Sequence, residues 1–209
     1  MKNLKIMPFK EKRELVEDNI AYGEKTIQQF ISQEVGKEKA LKHMESLRNT
    51  YAPITENITE EEKYETLYSN WIGLCRSNFS FIREHLGEEG VRRFVNFAAI
   101  GLIEKNKGPA VSFVNFFHKL STKLAFNMIM KDMSYRLQWL TPYTFKKVTD
   151  HQAVFNIPKC KILQYDDVDD ICNEACMKLY PQWVKEQFNL DMEFQRTGHK
   201  CTLTVKSIY

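Results

Sequence analysis

The apolar residues change their spacing near residue 140, and this change constrains the fold more than any other feature of the chain. From about residue 9 to residue 130 they recur three or four positions apart, which is typical of amphipathic helices. Further on, "YTFKKVT" and "AVFNI" are short, rich in aromatic and β-branched residues, and separated by the turn-prone "DHQ". Alternating apolar residues on both sides of "TGHK" predict a second hairpin, with Gly198 in its turn. The sequence therefore predicts an α+β fold, in which a mostly helical N-terminal part packs on one face of a small antiparallel sheet formed by C-terminal hairpins.

The length and composition favour a single domain. The chain has 209 residues, of which 43% are hydrophobic, and it contains no Gly/Ser-rich linker. Domains commonly hold roughly 100 to 200 residues, so one core is sufficient for this chain. We therefore expect one domain over residues 1–209, with a helical part at 1–138 and a sheet with an inserted helix at 139–209.

The charge pattern and the lengths of the apolar stretches argue against nucleic acid and membranes as partners. The chain has 30 basic and 27 acidic residues, for a net charge of +3, and the two signs are mixed along the helices. Such a surface is not typical of nucleic-acid binding. The N-terminus resembles no signal peptide, and no apolar stretch approaches the ~18 residues of a membrane span. We expect a soluble cytoplasmic protein that binds a small molecule, contacts neither membrane nor nucleic acid, and is either a monomer or a homodimer.

Local signals set the helix boundaries. Thr59 followed by Glu62 is a capping box, which predicts a helix start. Between the hairpins, a run of aspartates precedes "ICNEAC" and suits the positive end of a helix dipole, with Lys159 or Lys161 expected opposite it. Pro181 lacks the N–H that a helix ladder needs, so this helix is expected to stop or kink just before it.

Four cysteines are expected to converge on one corner of the sheet. Cys172 and Cys176 stand four positions apart, on one helix face. Cys201 alternates with apolar residues on a strand, and Cys160 follows the other hairpin. In a reducing compartment such thiols are buried core residues, metal ligands or reactive groups, and the spacing matches no standard zinc ribbon. All three explanations stay open on the residues alone.

The last third of the chain, about residues 140–209, resembles a known family. "IPKC" at a strand end, then "ICNEAC", and a final "CTLTV" strand after Gly198 are similar to the L-2-amino-thiazoline-4-carboxylic acid hydrolase family. The tail "MEFQRTGHKCTLTV" is also similar to 4-vinyl-reductase-like ligand-binding domains, in which a structural zinc held largely by cysteines lies near a small-molecule pocket. The resemblance implies a zinc site at Cys160, Cys172, Cys176 and Cys201.

The resemblance also implies a reaction, the hydrolytic opening of a cyclic amidine or thiazoline in a small carboxylated metabolite. The attack needs an activated water or a thiolate, and ring opening needs a proton donor. Cys176 and Cys172 are the candidate nucleophiles, with His118 or His199 as the candidate base. A zinc closed by four thiolates has no open position and would be structural.

Further residues are candidates for binding the ligand. Arg136 and Arg196 can hold a carboxylate in bidentate fashion, although solvated surface arginines are the ordinary explanation. Phe117 belongs to an aromatic helix, 109–130, that can line an apolar pocket. This gives a second hypothesis, a non-catalytic small-molecule binding domain with a cysteine-rich corner. A third is an interaction protein that offers a strand edge or a helix face to a partner.

Overall fold

The computed structural model describes residues 5–108 and 121–208, and within them it confirms the α+β fold. Four α-helices lie among the described residues that precede the sheet. They are α1 (Phe9–Glu34), α2 (Lys37–Asn49), α3 (Glu60–Lys105) and α4 (Thr122–Arg136). These helices pack against an antiparallel sheet that the C-terminal third of the chain supplies.

The start of α3 is the capping box that the sequence predicts. The Thr59 hydroxyl accepts from the Glu62 backbone N–H at 3.2 Å, and the Glu62 carboxylate accepts from the Thr59 N–H at 2.8 Å. Farther along, α3 bends at Gly87, whose φ of 65° and ψ of −168° lie in a region that essentially only glycine adopts. Arg83 bonds Glu88 across this bend at 2.6 Å, so a side chain bridges the two straight parts of the helix.

The sheet consists of the two predicted hairpins. Its strands among the described residues are β1 (Thr144–Thr149), β2 (Gln152–Ile157), β3 (Leu190–Thr197) and β4 (Lys200–Ser207). The order is β1-β2-β4-β3, and every neighbouring pair is antiparallel. Phe155 of β2 lies opposite Leu203 of β4, which joins the hairpins side by side. Gly198 has a φ of 58° in the second turn, as a tight hairpin requires.

The segment between the hairpins changes its helix type just before Pro181. A π-helix (Ile171–Leu179) ends where α5 (Tyr180–Phe188) begins, with Pro181 in the first turn of α5. The predicted boundary is therefore present, but the chain stays helical across it. Proline is tolerated there because the first turn of an α-helix does not use that N–H. At the boundary between Leu179 and Tyr180, the backbone hydrogen bonding changes from the π to the α pattern.

The core lies between the helices and one face of the sheet. Phe126 and Met130 of α4 belong to the same buried cluster as Phe155 and Leu203 of the sheet. The opposite face carries side chains that are not buried, for example Lys146 on β1. The alternation predicted from the sequence thus sets one apolar and one solvent-facing side.

Candidate functional site

The four cysteines of the sheet corner line one small cavity. Cys160 follows β2, Cys172 and Cys176 lie on the π-helix, and Cys201 lies on β4. The cavity has a volume of about 30 Å³. This is room for about one water molecule, since a water takes roughly 30 Å³ of liquid. We call it the cysteine cavity.

Backbone pairing explains why these cysteines meet. Cys201 pairs with Ile157 in the β2–β4 ladder, which places it beside the end of the first hairpin. The Cys160 N–H donates to the His199 carbonyl at 2.9 Å, and this bond ties the residue to the second hairpin. The π-helix packs against α3 and β3, and it brings Cys172 and Cys176 to the same corner. The convergence predicted from strand alternation and helix spacing is therefore present.

Burial makes these thiols poor nucleophiles. It raises the pKa of Cys172 and of Cys201 to about 11, and it raises the pKa of Cys176 well above its usual range. Neighbouring thiols act in the same direction, because one thiolate would disfavour the next. A cysteine nucleophile needs a lowered pKa or an adjacent base. Within the described part of the chain, the cavity has neither for Cys176.

We predict that alkylation will reveal the high thiol pKa values. The rate of reaction with iodoacetamide at Cys172 and Cys201 should climb roughly tenfold per pH unit from about pH 7 to pH 10, because only the thiolate reacts. Peptide mapping by mass spectrometry assigns the rates, and circular dichroism verifies that the fold persists. An unstructured cysteine peptide, with a pKa of about 8.5, should level off within this range. A plateau below about pH 9 at either protein thiol would contradict the prediction.

Arginines, not lysines, lie opposite the aspartate run. Asp167 pairs with Arg76 at 3.2 Å, and Asp170 accepts from Arg83 at 2.8 Å. Arg196, which lines the cysteine cavity, pairs with Asp169 at 2.6 Å. The expectation of Lys159 or Lys161 in this place was wrong, because the guanidinium groups reach the carboxylates from α3 and β3. Lys161 instead pairs with Glu65 at 2.7 Å.

The remaining sequence candidates do not join the cysteine cavity. His118 and Phe117 lie outside the described residues. Arg136 is exposed on α4, pairs with Asp132 at 2.9 Å, and is not among the residues that line either cavity described here. His199 is exposed in its turn, and its Nδ1 lies 3.1 Å from the Leu163 carbonyl. A cysteine–histidine pair is therefore not formed by His199.

The sulfur donors suit zinc chemically, but among the described residues they are not gathered around one metal position as they stand. Zinc prefers thiolate and imidazole ligands in tetrahedral geometry. Across residues 5–108 and 121–208, no three His, Cys, Asp or Glu side chains form a group that can hold a metal ion as they stand. Zinc binding by the four cysteines stays a prediction, and no step proposed below depends on a metal.

A second and larger cavity was not predicted from the sequence. It has a volume of about 560 Å³ and opens between the start of α1, the start of α3 and the segments that flank the first hairpin. We call it the lysine cleft. Its lining includes Phe9, Lys12, Tyr64, Glu65, Thr141, Tyr143 and Lys161. Thr141 also lines the cysteine cavity, so this side chain belongs to both walls.

Aromatic rings hold the two lysines of this cleft. Nζ of Lys161 lies 4.0 Å from the ring centroid of Tyr64 and 4.2 Å from that of Tyr68. Nζ of Lys12 lies 4.7 Å from the centroid of Phe9 and 5.7 Å from that of Tyr64. Burial lowers the pKa of both lysines. Ammonium groups at such distances from ring faces are attracted by the ring quadrupole, which fixes their positions.

Comparisons with known proteins leave the family open. No protein-family model matches the sequence, and no curated protein is significantly similar to it. Among solved structures, the chain matches a mutant H-NOX protein from K. algicida in the Fe(II) unliganded state. The identity is 11%, the match covers 90% of this chain and 96% of that chain, and the TM-score is 0.30. A likeness this low supports no inference about ligand or activity.

The length and hydropathy of the helices decide whether they could cross a membrane. Across residues 5–108 and 121–208, none of the helices combines the length and the apolar character that crossing a bilayer requires.

Proposed function

We propose that this protein is a non-catalytic small-molecule binding domain, and that the ligand occupies the lysine cleft. The observation that carries the proposal is the difference in size between the two cavities. The cleft holds about 560 Å³, within the range of roughly 300 to 1,000 Å³ that small-molecule sites occupy. The cysteine cavity, at about 30 Å³, has no room for a ring-shaped metabolite beside its thiols.

The composition of the cleft supports the same proposal. Its lining combines apolar rings with a small number of polar groups, which is the usual make-up of a ligand site. Two of those groups, Lys12 and Lys161, have lowered pKa values, and perturbed groups cluster at functional sites. The thiols that a hydrolase would use lie behind Thr141, in the other cavity.

Ring opening remains a second candidate on one observation. Arg196 borders the cysteine cavity, next to Cys172, where a guanidinium would favour a thiolate. Its pairing with Asp169 weakens that effect, and the pKa of Cys172 is still raised to about 11. The hydrolase activity implied by the family resemblance therefore stays a prediction.

A binding screen with two matched variants tests the proposal. Small organic acids, amides and alcohols are screened by thermal unfolding, and hits are titrated by calorimetry. A ligand at a hundredfold excess over its Kd should stabilise the protein by about 2.7 kcal/mol. Gln164→Trp places an indole at the rim of the cleft, where Gln164 is exposed, and should weaken every true ligand about tenfold or more.

The control is Gln195→Trp, the same exchange at an exposed position of β3, on the solvent-facing side of the sheet. It should leave the affinity unchanged. If no compound binds, or if hits bind Gln164→Trp as tightly as the unmodified protein, the ligand does not occupy the lysine cleft and the proposal fails.

A further inference from the structure

The lysine cleft contains one cation without a direct counter-ion. Lys161 pairs with Glu65 at 2.7 Å, which balances its charge. Lys12 forms no ion pair with any carboxylate in the described ranges 5–108 and 121–208, although Glu65 and Glu61 act on it from farther away. Burial lowers the pKa of Lys12 against the pull of both acids. A half-buried ammonium without a paired anion carries a desolvation cost that no direct ion pair offsets. A bound anion would reduce this cost.

The cleft also contains a hydroxyl without a partner. The Tyr143 hydroxyl is buried and forms no hydrogen bond of normal geometry within the part of the chain that the structure describes, although the neighbouring Gln138 side chain acts on its pKa. Burial raises the pKa of Tyr143 to about 12, so this group keeps its proton at neutral pH. Buried polar groups in proteins are nearly always paired, so an unpaired donor in a cavity wall points to a ligand or a water.

Two aromatic rings form the part of the cleft wall next to Lys12. The rings of Phe9 and Tyr64 lie 5.7 Å apart and are tilted by 49° to one another. Tyr64 is fixed in place, because it is 3% exposed and its hydroxyl donates to the Trp139 carbonyl at 2.6 Å. An apolar group of a ligand can therefore pack on Phe9, beside a Tyr64 ring that needs no ordering.

We propose that the lysine cleft binds a small organic anion, a carboxylate or phosphate attached to a flat apolar body. Its anionic group pairs with Lys12, its body packs on Phe9 beside Tyr64, and the Tyr143 hydroxyl donates a further hydrogen bond to it. This inference rests on the proposed binding function and names the class of ligand. Lys161 is already paired with Glu65, so it forms no new bond with the ligand. Its positive charge acts on the anionic group from its fixed position.

The test compares three probes that share one ring. Phenylacetate and phenyl phosphate carry the two anionic groups, and phenylacetamide is the neutral analogue of the first. Calorimetric titration should give phenylacetate or phenyl phosphate an affinity about tenfold or more above that of phenylacetamide, because hydrogen bonds to charged groups are the stronger ones. The ratio of the two anions identifies carboxylate or phosphate as the preferred group.

Substitutions assign the interaction to residues. Lys12→Met should weaken the preferred anion about tenfold or more and change phenylacetamide binding less than about twofold. Tyr143→Phe should weaken it roughly two- to tenfold. Lys10→Met, an exposed position on the same helix, removes the same charge from the protein and should have no effect on any probe.

The outcomes separate this inference from the function on which it rests. If phenylacetamide binds as tightly as both anions, or if Lys12→Met and Lys10→Met behave alike, the cleft binds ligands but the anion inference is overturned. If none of the three probes binds, the anion inference is overturned, and the screen with Gln164→Trp decides the proposed function separately. Weakening of only the anionic probe in Lys12→Met supports both.

Discussion

Replacing Phe155 by alanine is expected to lower the free energy of unfolding by about 3–5 kcal/mol. The side chain is fully buried on β2, opposite Leu203, and its ring centroid lies 5.2 Å from that of Tyr143 and 4.9 Å from that of Phe145. The variant loses the transfer free energy of the ring and leaves a cavity that strands on both sides prevent from closing. Urea denaturation followed by circular dichroism measures the loss.

Leu41→Ala is the matched control, because Leu41 is 49% exposed on α2. Its effect should stay within about 0.5 kcal/mol, as for most surface substitutions. A loss at Phe155 below about 2 kcal/mol would mean that the sheet repacks, and it would contradict the packing described for β2.

Replacing Tyr68 by alanine is expected to cost at least about 3 kcal/mol, and the phenylalanine variant separates that loss into two parts. Tyr68 is fully buried in the N-terminal part of α3, against Tyr64, Trp71 and Trp139. Its hydroxyl donates to the Leu140 carbonyl at 2.7 Å. Tyr68→Phe keeps the ring but leaves this buried carbonyl without its partner, which costs about 1–3 kcal/mol.

Tyr135→Phe serves as the control for the hydrogen bond alone. The Tyr135 hydroxyl bonds to Glu11, but it lies nearer the surface, so water replaces the lost partner and the loss of stability should be much smaller than that of Tyr68→Phe. Equal losses for Tyr68→Phe and Tyr135→Phe would show that the Leu140 carbonyl finds another donor. Denaturation by urea again provides the measurement.

The sheet could be predicted from the sequence because its signals are local. Alternation on both sides of "DHQ" and "TGHK" marks each hairpin, and Gly198 supplies the positive φ of the second turn. The start of α3 follows equally from Thr59 and Glu62, which lie three residues apart. Each of these features depends on neighbours in the chain, where pattern and propensity act directly.

The π-helix could not be predicted in the same way. The spacing of Cys172 and Cys176 suits an α-helix, and π-helices are too rare for a short apolar pattern to indicate one. The π-helix contacts α3, α5 and β3, and such tertiary contacts are not visible in a local sequence pattern. Pro181 marks the boundary at Tyr180 but not the type of helix on either side of it, since the effect of a proline depends on which turn of a helix it occupies.

The two cavities show the same contrast. The cysteine cavity could be anticipated, because Cys201 alternates with strand residues and Cys160 ends the other hairpin. The lysine cleft could not, because Lys12, Tyr64 and Lys161 come from distant parts of the chain. One signal for the cleft was present in the sequence, because Lys161 stands between Cys160 and Ile162. Both neighbours are buried, so the Lys161 ammonium has few directions in which to reach solvent.

The side chain of Thr141 is the wall that the lysine cleft and the cysteine cavity share. It is 1% exposed, and its hydroxyl accepts from the Lys161 backbone N–H at 3.1 Å. A ligand that displaces this wall alters the packing around the thiols as well. Thermodynamic linkage makes this effect mutual. If a bound ligand alters an equilibrium at the cysteines by way of Thr141, a shift of that equilibrium alters the ligand affinity by the same factor. A ligand in the lysine cleft and a chemical change at the thiols would therefore both act on the one residue that the two linings share.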